Sequence, residues 1–249
     1  MAGALVDTPS AGGDVSLQID RDFEHIVLDE IEQLQPNASR LVISEEIGYI
    51  GEAISEASEI VIIDPVDGSK NVAAGIPQFS LSVAVASGPT MADVWFGYVY
   101  DFGTKEEHVA STKPLRTGPV STPSTDRKNS AQRFLAFESA EPALLKAGLP
   151  QLRADAFDEI RVIGSIAISL CYLSKGRVAG LVACKGCRSV DAAAGQLIAR
   201  TAGYEVLFDG RPPEGEPLVL EHEYRVTAGP HDSMQELLAV QEAIPLTAR

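Results

Sequence analysis

The chain has no apolar run approaching the roughly 18 to 20 residues of a membrane span, which excludes a helical membrane protein. Cysteine is scarce. Its three residues make an odd count, and only Cys184 and Cys187 have the two-residue spacing of a zinc or redox half-site. With no second pair, and with His25, His108, His222 and His231 scattered, the bland expectation is reduced thiols in a turn. Basic residues are also few, 20 Lys and Arg against 35 Asp and Glu, for a formal charge of −15. Such a field has the wrong sign for a polyanion, so nucleic-acid binding is not the expected activity. Met1 to Asp7 has neither the basic region nor the apolar stretch of a secretory signal, which makes the cytoplasm the expected compartment. There is no internal repeat.

What is present is an ordinary globular balance, 45% hydrophobic and 22% charged over 249 residues, enough for one large domain or two modest ones sharing a core. From Asp20 to Leu34, Phe23, Ile26, Val27, Ile31 and Leu34 recur at three- and four-residue steps among acids, the pattern of an amphipathic helix ended by Pro36 and Asn37. Leu41 to Ser44 and Ile60 to Ile63 read as buried strands running into Glu45 and Asp64. Phe79 to Ala86, Val94 to Tyr100 and Glu107 to Ala110 read as consecutive antiparallel strands. Residues 111–130, rich in Thr, Ser, Pro and basic residues, form the expected boundary between an N-terminal half, 1–115, and a C-terminal half, 116–249. Beyond it, strands at Phe134 to Phe137, Ile160 to Ile163 and Gly180 to Ala183 alternate with helices at Pro142 to Ala147, Ser165 to Lys175 and Val190 to Ala202. That alternation is the mark of layered α/β architecture. Tyr204 to Phe208, Tyr224 to Ala228 and a helix from Ser233 to Glu242 complete it.

The chemistry concentrates between the doublet Glu45, Glu46 and the hexapeptide Asp64, Pro65, Val66, Asp67, Gly68, Ser69. Magnesium takes near-octahedral oxygen coordination and keeps some waters, so a few carboxylates from separate segments suffice. Asp64 and Asp67 supply two, the Val66 carbonyl can join them after the rigid Pro65, and Glu45 would be a third carboxylate from a neighbouring strand. Gly68 and Ser69 can open a short helical turn whose free N–H groups face a phosphate. Asp, Pro, Gly and Ser are also ordinary turn residues. The Glu doublet in front, and Asp191 at the start of a small-residue helix behind, favour a metal site. Alone, Asp191 reads as an acid complementing a helix dipole.

Together these residues, with Ala192, Ala193, Ala194 and Gly195 after Asp191, resemble the inositol monophosphatase superfamily of magnesium-dependent sugar phosphatases over nearly the whole chain. Ile43 to Glu46 and Phe96 to Tyr100 are most similar to archaeal enzymes acting on both fructose 1,6-bisphosphate and inositol phosphate. The resemblance implies a layered α-β-α-β-α sandwich and two or three Mg2+ ions. Glu45, Asp64 and the Val66 carbonyl would hold the first ion, and Asp64, Asp67 and Asp191 the second. Ser69, hydrogen-bonded to Asp20, would position the attacking water, while Gly68 and Ser69 hold the phosphate. Gly13 and Asp14 resemble the family's mobile first loop, and Gly164 and Ser165 a substrate-contacting element.

Three departures shape the expectation. The resemblance implies a long helix before the loop at Asp14, where this chain has a short polar leader, so either the chain begins late or a partner subunit covers the exposed face, and a homodimer is expected for this fold. Ser69 stands where threonine is common, keeping the hydroxyl. Inositol-preferring members have an acid near Cys184, whereas Lys185, Arg188 and Arg161 suit a second phosphate. A small phosphate ester is thus the expected substrate, fructose 1,6-bisphosphate ahead of inositol 1-phosphate. Competing readings are a phosphatase of adenosine 3′,5′-bisphosphate or NADP, and a catalytically weak metal-binding regulatory protein.

Overall fold

The structure, a computed structural model, describes residues 18–34, 36, 38–54, 56–115, 133–153 and 155–246. Gly13, Asp14 and most of the expected boundary segment lie outside that set. Five layers stack as α-β-α-β-α. Helix α1 (Gln18–Leu34) covers the outer face of a six-stranded sheet. That sheet comprises β1 (Arg40–Ser44), β2 (Gly48–Gly51), β3 (Glu59–Asp67), β4 (Ser80–Ala86), β5 (Val94–Asp101) and β6 (Glu106–Ser111), in the order β2-β1-β3-β4-β5-β6. A one-turn helix α2 (Ser69–Ala73) follows β3. The second sheet is built from β7 (Phe134–Glu138), β8 (Glu159–Arg161), β9 (Gly180–Ala183), β10 (Glu205–Phe208) and β11 (Val226–Gly229), ordered β10-β11-β9-β7-β8. Helices α4 (Ile166–Ser174) and α5 (Ser189–Thr201) fill the space between the sheets, while α3 (Pro142–Gly148) and α6 (Met234–Ala243) cover the far side.

Strand alternation makes the layers. Along β1 and β3, Leu41, Ile43, Ile60 and Ile62 point into the central core with α4 and α5, and Val42, Val61 and Ile63 point out to Val27, Leu28 and Ile31 of α1. The central core takes residues from both halves of the chain, Ile43 and Ala84 alongside Leu170, Leu181 and Val226. Helix α5 lies close on the first sheet because small residues meet there. A Cβ on Gly97 of β5 would come within 2.8 Å of the Ala194 carbonyl oxygen, and one on Gly195 within 2.9 Å of Leu170 in α4.

The observed elements depart from the sequence reading in three places. Strand β3 does not stop at Ile63 but runs through the acidic motif to Asp67. Strand β2, four residues containing two glycines, had no period to mark it and forms as an edge hairpin on β1. The strand expected at Ile160 to Ile163 sits earlier, at Glu159–Arg161, because Ile163 and Gly164 turn away to start the α4 connection. Among the described residues no helix is long and apolar enough to cross a membrane.

Gly97→Val should overfill the β5–α5 contact and lower unfolding free energy by about 1–3 kcal/mol, measured by urea titration. Since α5 carries Asp191, the same variant should also weaken whatever the acidic cluster binds.

Candidate functional site

Strand pairing creates the site. Parallel β1 and β3 are in register with Ser44 opposite Ile63, so Glu45, just past the end of β1, lies beside Asp64 within β3, and the Glu45 N–H donates to the Ile63 carbonyl at 3.3 Å. In a regular strand, Asp64 and Asp67 would face opposite sides of the sheet. Here Asp64 pairs with Ser82 and Asp67 with Ser80, three residues against two, so one extra residue is accommodated as a β-bulge. Pro65 fits inside the bulge because it has no N–H for the ladder. The Val66 N–H folds back to Asp64 Oδ1 at 2.9 Å. The bulge returns Asp67 to the face of Asp64.

Asp191 reaches the same place from α5. Its Oδ2 accepts the Arg188 N–H at 2.7 Å, capping the helix. One carboxylate oxygen from each of Glu45, Asp64 and Asp191 lies within 4.8 Å of the others. Asp67 is tied to the start of α4, its Oδ2 accepting from the Ser165 hydroxyl at 2.6 Å and the Ala167 N–H at 2.8 Å. Glu45, Asp64, Val66, Asp67, Gly68, Ser69, Gly164, Lys185, Arg188 and Asp191 all line one cleft of about 580 Å³. Gly68 has φ +101°, and a Cβ there would meet the Gln78 and Gly164 carbonyl oxygens at 2.9 and 3.1 Å, so the turn into α2 requires glycine.

Three expected residues are not among those lining the cleft. Asp20 is buried in the first turn of α1. Ser165, 1% exposed, is the N-cap of α4, accepting the Ile168 N–H while its own O–H goes to Asp67, so it holds that carboxylate in place. The Arg161 guanidinium stacks 4.0 Å over the Phe134 ring and pairs with Glu159 at 2.7 Å, on the surface of the β8 edge. Of the expected cations that line the cleft, Lys185 is paired with Glu141 and Arg188 with Glu45; Lys70 lines it too.

Two acids escaped the sequence reading. Glu138, at the end of β7, is buried and accepts from the Gly164 N–H at 2.9 Å, the Ile163 N–H at 3.3 Å and the Ser169 hydroxyl at 2.5 Å, holding the turn that presents Gly164 to the cleft. Its signal was available: like Glu45 and Asp64, it is an acid directly following a buried, mostly apolar run. Glu24, fully buried on α1, accepts from the Ser44 hydroxyl and from the Ile47 N–H at 3.1 Å, bracing the turn that carries Glu45. Asp20 and Glu24 share the helical stripe of Val27, Leu28 and Ile31, and acids on a buried stripe are the mark of a polar job.

Burial and mutual repulsion dominate the electrostatics. Burial, then the nearby Asp191, pushes Glu45 up to about 8. Asp67 is pushed up to about 7 by the same two causes in the same order, against hydrogen bonds from Ser165 and Ala167. Asp64 is raised well above the carboxylate range by burial and then by Glu45, Asp67 and Asp191. The Asp64 Oδ2 is buried with no hydrogen-bond partner. A converging set of hard oxygen donors, one of them orphaned, fits a hard divalent cation such as Mg2+. Neither Cys184 nor Cys187 joins a metal-competent group among the described residues; the one such group there is Glu45, Asp64 and Asp191.

Comparison with known proteins agrees with this architecture. The profile of the inositol monophosphatase family matches residues 6–245. The chain belongs to that family. A fructose-1,6-bisphosphatase/inositol-1-monophosphatase of Thermococcus kodakarensis is 32% identical over 219 residues, 86% of this chain and 77% of that protein. An inositol-1-monophosphatase of Mycobacterium bovis is 29% identical over 239 residues, covering 90% and 77%. Among solved structures, an inositol monophosphatase–fructose 1,6-bisphosphatase superimposes with a TM-score of 0.74 over 94% of this chain and 88% of that one; at 22% identity it speaks to the fold, which is the family's sandwich.

The raised carboxyls predict an unusual pH dependence. A group whose folded pKa lies above its unfolded value contributes stability that is full below the unfolded pKa and is lost as pH rises through the folded one. In chelator, thermal stability should therefore fall from about pH 4.5 to pH 8, the span between the ordinary values and the raised ones of Glu45 and Asp67. Calorimetry should show a shallower decline for Asp64→Asn.

Proposed function

We propose that this chain is a Mg2+-dependent phosphomonoesterase acting on small sugar phosphates, with fructose 1,6-bisphosphate preferred over inositol 1-phosphate. The observation that carries the reading is the convergence of Glu45, Asp64 and Asp191 within 4.8 Å beside the glycine turn at Gly68. Glu45, Asp64, Asp191 and the Val66 carbonyl, with Asp67 alongside, would hold two or three ions. When bound, such ions neutralise the phosphoryl oxygens, lower the pKa of water and stabilise the leaving alkoxide.

The chain's own groups do the rest. Gly68 and Ser69 offer backbone N–H groups at the start of α2 to a phosphoryl oxygen, and the left-handed Gly68 lets the ester approach the backbone closely. The Ser69 hydroxyl orients the attacking water in line with the scissile bond, and Asp20 is the proposed acceptor of its proton. Gly164, held by Glu138, forms the facing wall. The buried carboxylates Glu45, Asp64 and Asp67 stay in place for catalysis because β1, β3 and the bulge hold them, so little reorganisation accompanies the reaction. Lys185 and Arg188 supply the positive charge for a second phosphate, Lys185 by exchanging Glu141 for the substrate. The protein would act in the cytoplasm, as a homodimer.

Phosphate release should be measured with Mg2+ over fructose 1,6-bisphosphate, inositol 1-phosphate, adenosine 3′,5′-bisphosphate and NADP. Turnover is expected on the first two; release from the nucleotides alone would replace the reading with a nucleotide phosphatase. Asp64→Asn should lower kcat by about three orders of magnitude, roughly 4 kcal/mol of transition-state stabilisation. A chain that binds Mg2+ and hydrolyses none of the four would be a regulatory protein instead. Lys185→Ala should raise KM for the bisphosphate several-fold while leaving that for inositol 1-phosphate near its starting value. An unchanged ratio removes the argument for the bisphosphate.

A further inference from the structure

Arg188 is 5% exposed, and a guanidinium so buried is retained only where an anion holds it. Its Nη2 lies 2.6 Å from Glu45 Oε1, and this pair spans 143 residues of sequence. Its backbone N–H, at the same time, donates to Asp191 Oδ2 at 2.7 Å. One residue therefore touches two of the three carboxylates whose oxygens converge, from opposite ends of itself.

We infer that Arg188 is an intrinsic counter-cation of the carboxylate cluster, neutralising Glu45 from within the chain and thereby setting the concentration of divalent ion the site requires. The inference rests on the metal reading of the cluster. The guanidinium keeps its proton throughout the working pH range, so its charge is a fixed element of the site's field. Its presence lowers the cost of holding the carboxylates together before an ion enters. The same charge repels an incoming cation and occupies a Glu45 oxygen that would otherwise be a ligand. Metal entry is then an exchange in which Glu45 turns from Arg188 toward the ion. Arg188 also lines the cleft.

The test is calorimetric titration of Mg2+ into the chelator-treated full chain without substrate, comparing wild type, Arg188→Met, Arg188→Gln and Arg188→Lys. Both neutral variants should bind Mg2+ about five- to tenfold more tightly, as expected for removal of a nearby positive charge, while Arg188→Lys stays near wild type. Their melting temperature in EDTA should fall and the rise on adding Mg2+ should exceed that of wild type. On a Glu45→Gln background, Arg188→Met should still tighten binding but by less than in wild type, because the competition for the Glu45 oxygen is gone and only the repulsion of the ion is relieved. If wild type binds Mg2+ and the neutral variants bind equally or more weakly, this inference is overturned and the metal reading stands. If wild type binds no Mg2+, both fall. Should Arg188→Met not fold without metal, Arg188→Gln decides in the same way.

Discussion

Several like charges held together in a buried cleft are the constraint around which the molecule is arranged. Two carboxylate oxygens at 4.8 Å repel by about 3 kcal/mol at an effective dielectric near 20. The fold keeps such groups close through backbone geometry, with Arg188 offsetting part of the repulsion at Glu45. Glu45 and Asp64 are neighbours because parallel strands in register leave no other place for them, and Asp67 joins them through a bulge. Asp191 is brought in by a helix pressed against the sheet at Gly97 and Ala194. Desolvation and repulsion raise the affinity of these acids for protons, and by the same physics for a hard cation.

Around this cluster, other groups hold the carboxylates and the turns in position. Glu24 braces the turn behind Glu45, Ser165 and the start of α4 hold Asp67, and Glu138 fixes the turn at Gly164. These supports come from three layers of the sandwich, α1, the central helices and the second sheet. The site is consequently a product of the whole fold. A change in any of these three layers reaches the cleft through one of these hydrogen bonds.

Much of the architecture was legible beforehand because the burial pattern is strongly periodic. The alternation in β1 and β3, the stripe of α1 and the small residues of α5 each have one physical reading. The failures share a cause. Strand β2 is a short glycine-bearing edge whose pairing comes from its neighbour, and β3 continues through a proline because a bulge absorbs it. Glu138 and Glu24 did not stand out, since nothing local says that Gly164 or Ser44 will approach them.

The sequence by itself determined which groups are available: acids closing two β-branched runs, a glycine and a hydroxyl after them, and an acid opening a small-residue helix. It determined the family as well, since those types at those spacings match little else. Only the tertiary structure decided which of them act together. Ser165 became a helix cap, Arg161 stacked on Phe134 at an edge strand, and Arg188 turned to Glu45 across 143 residues. The physical reason is that side-chain partnership depends on strand register, bulges and layer contacts, which couple residues far apart in the chain and leave no periodic trace along it.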